Sequence, residues 1–376
     1  MARINVIASA SQHISMCALV GSGWESHTQR PFAQSAAGEL KVIMLFVDFP
    51  DAPASESTSA LYALLIPTAQ DWFSEVSLGR FRMSVDRVDQ WFRVAQPSGT
   101  YNWRTYAGHH EYISQVTALA DPTVDFSEYD AVFIVAANGA AQVNSNAFHA
   151  SPGFGVMLDG AEIRSAVTFG TGARSRVTPG YGAFLTVHET GHLLGLPDLY
   201  LFNASTWLSS HAAVGMWDPM GWLGLGTHFV SWHKWKLGWL DEARVDCLGR
   251  ATVERVLVPF DAPSGTQVLV IPLASTTATI VEVRRETGFD APICEGGVLV
   301  YSVNTDVATG LGPIWVQSAR ADQRPDLSLG GACGPLYESS YGLGPDRISV
   351  HSGSSGLTLE IIEVSADEHR VRVTRN

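Results

Sequence analysis

VHETGHLLGLPDLY, residues 187–200, decides how the rest of the chain is read. His188 and His192 are four positions apart. On an α-helix that spacing puts both imidazoles on one face, about one turn apart, where they can grip a single metal ion. Glu189 follows the first histidine. Its carboxylate is placed to reach a water on that metal, the position of a general base in metal-assisted hydrolysis. Gly195 can take a left-handed conformation that ends the helix and swings the chain back, and Pro197 forbids the helix from resuming. Asp198 then arrives in the place of a third ligand; a carboxylate oxygen binds zinc at about 2.0–2.2 Å. A bare HExxH turns up in helices that bind nothing. Here it is extended by a placed glycine and a placed carboxylate. The apolar run Ala183–Leu185, with Val187, precedes it and fits a buried helix.

Upstream, Lys41–Val47 is a continuous apolar run bounded by Asp48, Pro50, Asp51 and Pro53, the pattern of a buried central strand leaving into a loop. Residues 57–77 carry apolar positions at helical spacing, and Gly79 stops that helix. Alternation over Phe81, Met83 and Val85, then Trp91, Phe92 and Val94, predicts a hairpin. A helix follows over 112–119, and Tyr129–Ala136 reads as a second buried strand. Parallel strands with helices between them make this half α/β. His109 and His110 point to different faces, so we read them as solvated surface. Residues 137–182 are loops with a short edge strand, Val167–Gly170 being the most strand-like piece.

Downstream, Met220 lies in GMWDPMG (215–221), where Pro219 and Gly221 supply a tight turn. Ser231–Leu240 is a helix ended by Gly238, with Trp232, Trp235 and Leu237 packed inward. Tyr200, His228 and His233 are weaker candidates for contacts to substrate or to a transition-state oxyanion. From about residue 245 the pattern becomes short β-branched strands separated by Gly, Pro, Ser or Asp, which predicts a β-sandwich. The expected organisation is a tail or propeptide remnant over 1–38, a catalytic domain over 39–243 and a β-sandwich domain over 244–376.

With 376 residues, 46% apolar and only 16% charged, the chain can bury a sizeable core in two domains. A net charge of −13 argues against nucleic acid or an anionic membrane as partner. No apolar run has the length of a membrane span. The N-terminus has no clear signal peptide, its apolar stretch being broken by Ser9, Ser11, Gln12 and His13. Cys17, Cys247, Cys294 and Cys333 have no CxxC spacing, and their pairing is open. Cys17 also carries the alternative of a thiolate capping the metal. We expect a monomer.

Four stretches, VIMLFVDFPD (42–51), HETGHLLGLPDLY (188–200), GMWDPMG (215–221) with WHKWKLGWL (232–240), and IVEVRRETGFDAPICEGGVLVYSVN (280–304), resemble the immune inhibitor A family of secreted bacterial zinc metallopeptidases. The resemblance implies a metzincin-like α/β (α+β) catalytic domain with a C-terminal all-β sandwich domain. It further implies zinc held by His188, His192 and Asp198, Glu189 as base, and Met220 as the methionine of a turn forming an apolar floor beneath the metal. Secretion and structural calcium are also implied, although the chain has no DxDxDG-type loop to place calcium. The expected activity is cleavage of extended protein or peptide substrates, paired to an edge strand within 163–170. Two other readings stand beside it. One is a catalytically silent binding or adhesion module on the same fold, whose mark would be loss of Glu189 or of a ligand. The other is a zinc hydrolase of non-peptide amides.

Overall fold

The computed structural model describes residues 17–26, 33–103, 105–176, 178–249, 252–293, 295–317, 319, 340–343, 350–352 and 356–375. Strand β1 (Gly38–Asp48) is buried without interruption from Val42 onward, as a strand covered on both faces must be. It runs parallel to β2 (Phe81–Arg93) on one side and to β3 (Ala131–Ala136) on the other. β3 pairs in parallel with a later strand, Ser165–Phe169, and Asn146–His149 closes the five-stranded sheet as its antiparallel edge. In chain order these are β7 and β4, with a small hairpin of β5 (Val156–Leu158) and β6 (Ala161–Ile163) between them.

Three local expectations change. Residues 81–93 form one strand and not a hairpin. The register runs from Met44 opposite Arg87 to Phe46 opposite Trp91, so residues 88–90 stand against Leu45 alone and the two extra residues bulge out without reversing the chain. The helix expected over 57–77 is two helices, α1 (Thr58–Leu65) and α2 (Pro67–Val76), because Pro67 has no N–H to continue the first and suits the opening position of the second. α3 (Tyr106–Ala120) begins earlier than expected, capped by the Thr105 side chain, which accepts from the Gly108 N–H. That earlier start turns His109 inward. It is buried, its Nε2 lies 3.1 Å from the Thr168 hydroxyl, and burial pushes its pKa down to about 4. The solvated reading therefore fails for His109, while His110 is half-buried.

By contacts the chain separates into two units. One comprises Gln29–Leu196 with Leu223–Gly226 and contains the five-stranded sheet. Ile43, Leu45 and Val47 of β1, Val132 and Ile134 of β3, and Tyr112, Ile113 and Val116 of α3 share its core.

The other unit comprises Met1–Thr28, Pro197–Trp222 and Thr227–Asn376. Its strands are β8 (Val245–Cys247), β9 (Val253–Leu257), β10 (Val268–Pro272), β11 (Thr277–Arg284), β12 (Gly297–Asn304), β13 (Ile314–Val316), β14 (Val350–Ser352), β15 (Leu357–Val364) and β16 (His369–Arg375). They form one sheet in the order β13-β12-β11-β10-β8 and a second in the order β14-β15-β16-β9. Leu269, Ile271, Val281, Val283, Val298 and Val300 from the first share a core with Leu257, Leu357, Leu359, Ile361, Val371 and Val373 from the second. This is the two-layered β packing that the alternating stretches imply.

Segments 197–222 and 227–243, expected with the metal-binding helix, cluster with these sheets. Buried polar bonds account for it. The Arg284 guanidinium on β11 donates to Asp290 at 2.7 Å, to the Trp217 carbonyl at 3.0 Å and to the His228 carbonyl at 3.2 Å. At the start of helix α5 (Ser231–Lys236), the Ser231 N–H donates to Glu282 at 2.6 Å and the Trp232 N–H to the Tyr301 hydroxyl at 3.1 Å.

Residues 17–26 are irregular but are no tail. Cys17 forms a disulfide with Cys247, the Gly23 N–H donates to the Thr305 carbonyl at 2.8 Å, and Glu25 is fully buried. A Cys17 engaged in a disulfide cannot cap a metal as a thiolate. Cys294 and Cys333 lie outside the described residues. Among the described residues no helix is long and apolar enough to cross a membrane.

Candidate metal centre

Helix α4 (Tyr181–Leu193) carries the histidines. Its N-cap is Gly180 at φ +78°, with no capping side chain, and nearly every residue from Gly182 to Leu193 is buried. Such a helix is held by packing, since its ends contribute little. Gly182 lets it approach closely: a Cβ there would come within 2.7 Å of the Ala173 carbonyl and 3.1 Å of Leu64 on α1. His188 and His192 project from the same side, their ring centroids 4.8 Å apart.

The helix stops as the glycine requires. Gly195 has φ +90°, its N–H donates to the His192 carbonyl at 2.9 Å, and the Leu196 N–H returns to the Gly191 carbonyl at 3.0 Å. The same turn brings the Leu196 carbonyl to 2.9 Å from His192 Nδ1. A carbonyl only accepts, so Nδ1 carries the hydrogen and Nε2 is left with its lone pair for a metal. One donor atom from each of His188, His192 and Asp198 lies within 4.8 Å of the others. Among the described residues this is the one grouping of three or more His, Cys, Asp or Glu side chains that meets that test. Two imidazoles and a carboxylate fit a divalent cation that takes nitrogen and oxygen ligands with a coordination position to spare.

Asp198 is held through its backbone. Its N–H donates to the Thr309 hydroxyl at 2.9 Å, and its carbonyl accepts from the Gly310 N–H at 3.0 Å. The next residue, Leu199, donates its N–H to the Met220 carbonyl at 2.9 Å. Met220 is fully buried in a turn organised by Asp218, whose Oδ1 accepts from the Met220 N–H at 2.8 Å and whose carbonyl accepts from the Gly221 N–H at 2.9 Å. Gly221 packs closely there: a Cβ would sit 3.1 Å from both the Gly215 carbonyl and the Val214 side chain.

Glu189 is 5% exposed on α4. Its charge is felt at Tyr181, two turns earlier on the helix, whose phenol is pushed up first by burial and then by Glu189. The weaker candidates divide. Tyr200 is half-buried beside Phe202 and His211, at ring distances of 5.4 and 6.2 Å. His233 is not available to a substrate. It is fully buried with Nε2 2.9 Å from Glu25 and Nδ1 2.8 Å from Asp218. Burial would lower its pKa, but the two carboxylates push it up to about 9. His228 is likewise committed to packing, its Nδ1 3.2 Å from the Lys234 ammonium and its ring against Phe260. The strand proposed for substrate pairing also moves. β7 is covered on both sides by β3 and β4, so the edge on that side of the sheet belongs to β4, residues Asn146–His149, the opposite edge being β2. Sequence reasoning missed His149 at the end of that edge. Burial, and after it the charge of nearby His192, push its pKa down to about 3. A four-residue strand containing Asn and His carries no strand signal that would have found it.

Compared with known proteins, the chain matches no family description and no curated protein.

Proposed function

We propose that the chain is a zinc-dependent endopeptidase of the immune inhibitor A type. The observation that carries this reading is the gathering of His188, His192 and Asp198 donors within 4.8 Å, with Glu189 on the same helix as the two histidines. The ligands would be His192 through Nε2, His188 through a ring nitrogen, and Asp198 through its carboxylate. When bound, zinc supplies Lewis acidity, which polarises a peptide carbonyl and makes water acidic enough to ionise near neutral pH. Glu189 accepts the proton of the attacking water on its carboxylate and returns it to the departing amine nitrogen. An extended substrate chain pairs its backbone with the free edge of β4. The Cys17–Cys247 disulfide supports an oxidising, extracellular setting.

Cleavage of unfolded casein by the purified protein tests the reading, run beside Glu189→Ala and repeated with a zinc-selective chelator. Loss of cleavage under both changes is expected, by about 10²–10⁴-fold for the base alone. Protein with one zinc per chain that cleaves no peptide but hydrolyses small amides would replace the peptidase by an amidase. Protein that takes up no zinc refutes the reading.

A further inference from the structure

Glu25 is a fully buried carboxylate in an irregular segment, 163 positions before the first histidine of the metal helix, and the chemistry above makes no use of it. Its surroundings are well defined. Oε1 is 2.9 Å from His233 Nε2, and Oε2 accepts from the Trp232 indole N–H at 3.1 Å. The other nitrogen of His233 is 2.8 Å from Asp218 Oδ2, which also accepts from the Val230 N–H at 2.9 Å. Asp218 Oδ1 holds the Met220 N–H at 2.8 Å, and the Met220 carbonyl holds the Leu199 N–H at 2.9 Å. Leu199 adjoins Asp198. An unbroken run of hydrogen bonds therefore leads from Glu25 to the residue after the third metal ligand.

A second route leaves the same segment. The Ser22 N–H donates to Asp306 Oδ1 at 3.3 Å and the Gly23 N–H to the Thr305 carbonyl at 2.8 Å. Gly23 packs so closely on Thr305 that a Cβ would collide with its carbonyl oxygen. The chain continues from Thr305 to Thr309 and Gly310, which clasp the Asp198 N–H and carbonyl. The first route ends on the Leu199 N–H and the second on the Asp198 N–H and carbonyl, so the two meet at adjacent residues. The disulfide at Cys17 anchors the start of the segment.

We propose that the segment Val20–Ser26 is a strap that positions Asp198 for the metal, with Glu25 as its central positioning residue. This rests on the zinc reading above. Glu25 touches neither substrate nor metal and acts through His233, Asp218 and the Met220 turn. Elements of this kind, which orient a ligand from behind, typically change metal affinity by about 10–100-fold when removed. The charge state suits the role: with carboxylates on both nitrogens, His233 stays doubly protonated at neutral pH and bonds to each.

The test uses the full chain and compares Glu25→Ala with Glu25→Gln. Gln keeps one acceptor oxygen, for His233 or for Trp232, and turns its NH2 donor toward the other. Zinc affinity is read by chelator competition, and hydrogen exchange is followed at the Leu199 and Met220 amides. The expected result for Glu25→Ala is a 10–100-fold loss of zinc affinity and faster exchange at both amides, with exchange in β1 and β3 unchanged. Glu25→Gln, which keeps one of the two acceptors, recovers part of both. Should Glu25→Ala not fold, Thr309→Val breaks the second route at its far end and is expected to weaken zinc binding in the same direction. Zinc affinity and Leu199 exchange equal to wild type in a folded Glu25→Ala protein, whatever its melting temperature, would show Glu25 to be structural only. A wild-type chain that binds no zinc is a different failure: it removes the metal reading itself before any variant is compared.

Discussion

Gly195→Ala separates the two jobs that the end of the metal helix performs. At φ +90° an alanine meets the clash between Cβ and the neighbouring carbonyl that makes left-handed backbone costly for L-residues, about 1–2 kcal/mol. For a unit of this size each kcal/mol shifts the melting temperature by about 2–4 °C, so a fall of about 2–8 °C is expected. The change also strikes the site. If the chain relieves the strain by abandoning the left-handed turn, the Leu196 carbonyl leaves His192 Nδ1, the bond that fixes which nitrogen faces the metal. Losing such an orienting partner costs about 10–100-fold in metal affinity. Thermal melts of the apo and zinc-loaded proteins give the first quantity, and chelator competition gives the second. Gly195→Asn, whose side chain tolerates the left-handed region, should fall between glycine and alanine on both scales. Gly172→Ala is the control, because a Cβ there meets nothing within 4 Å and its φ is ordinary. A Gly195→Ala protein that melts with wild type and binds zinc equally well would refute the claim that this glycine sets the ligand geometry.

Three further outcomes follow from the buried groups. His109, held neutral with a pKa of about 4 against about 6.5 when unfolded, contributes stability that is fully present above pH 6.5 and lost as the pH falls towards 4. His109→Gln should therefore flatten the acid limb of a stability–pH curve in that window, a limb worth up to about 3 kcal/mol at 1.36 kcal/mol per pH unit. His233 has the opposite sign. Its pKa is raised to about 9, so its ion pairs stabilise fully below pH 6.5 and fade as the pH rises through 9, and His233→Gln should flatten the alkaline limb in urea titrations. Finally, the Cys17–Cys247 disulfide closes a loop spanning 230 residues, which on chain entropy restrains the unfolded state by about 5 kcal/mol. Replacing both cysteines by serine should lower the urea midpoint accordingly, and an unchanged midpoint would refute a stabilising role for the disulfide.

How far the sequence could be read depended on how far each feature reaches along the chain. The metal set is local: His188, Glu189, His192, Gly195 and Asp198 fall within eleven positions, and helical spacing alone puts the imidazoles together. The β strands after residue 245 were legible for the same reason, since alternation within seven or eight residues decides which side chains face the shared core. Errors came where a local pattern had two solutions. Apolar alternation broken by Val88–Gln90 fits a hairpin or a bulged strand, and only pairing with β1 selects the strand. Pro67 was compatible with the interior of one helix or the start of another. Adjacent histidines on a helix point about 100° apart, which leaves open which of the two faces inward; the structure buries His109 and leaves His110 half-buried.

The strap was not legible for a different reason. Glu25 and His233 are separated by 208 positions, and nothing in the composition of a polar stretch marks one glutamate as buried. A buried carboxylate is costly unless paired and hydrogen-bonded, so its burial is informative only once the partners are in view. Here three partners converge on it, His233 from one side, Trp232 from another, and the Lys236 ammonium as a further favourable charge. Burial pushes the Glu25 pKa up, but these groups outweigh it and hold the carboxyl below its ordinary range. A chain that only had to cover apolar surface with residues 17–26 could do so with leucine and avoid the desolvation cost altogether. That it places a charged triad of Glu25, His233 and Asp218 instead, ending on the turn that fixes Leu199, is why the segment is better understood by what it positions than by what it covers.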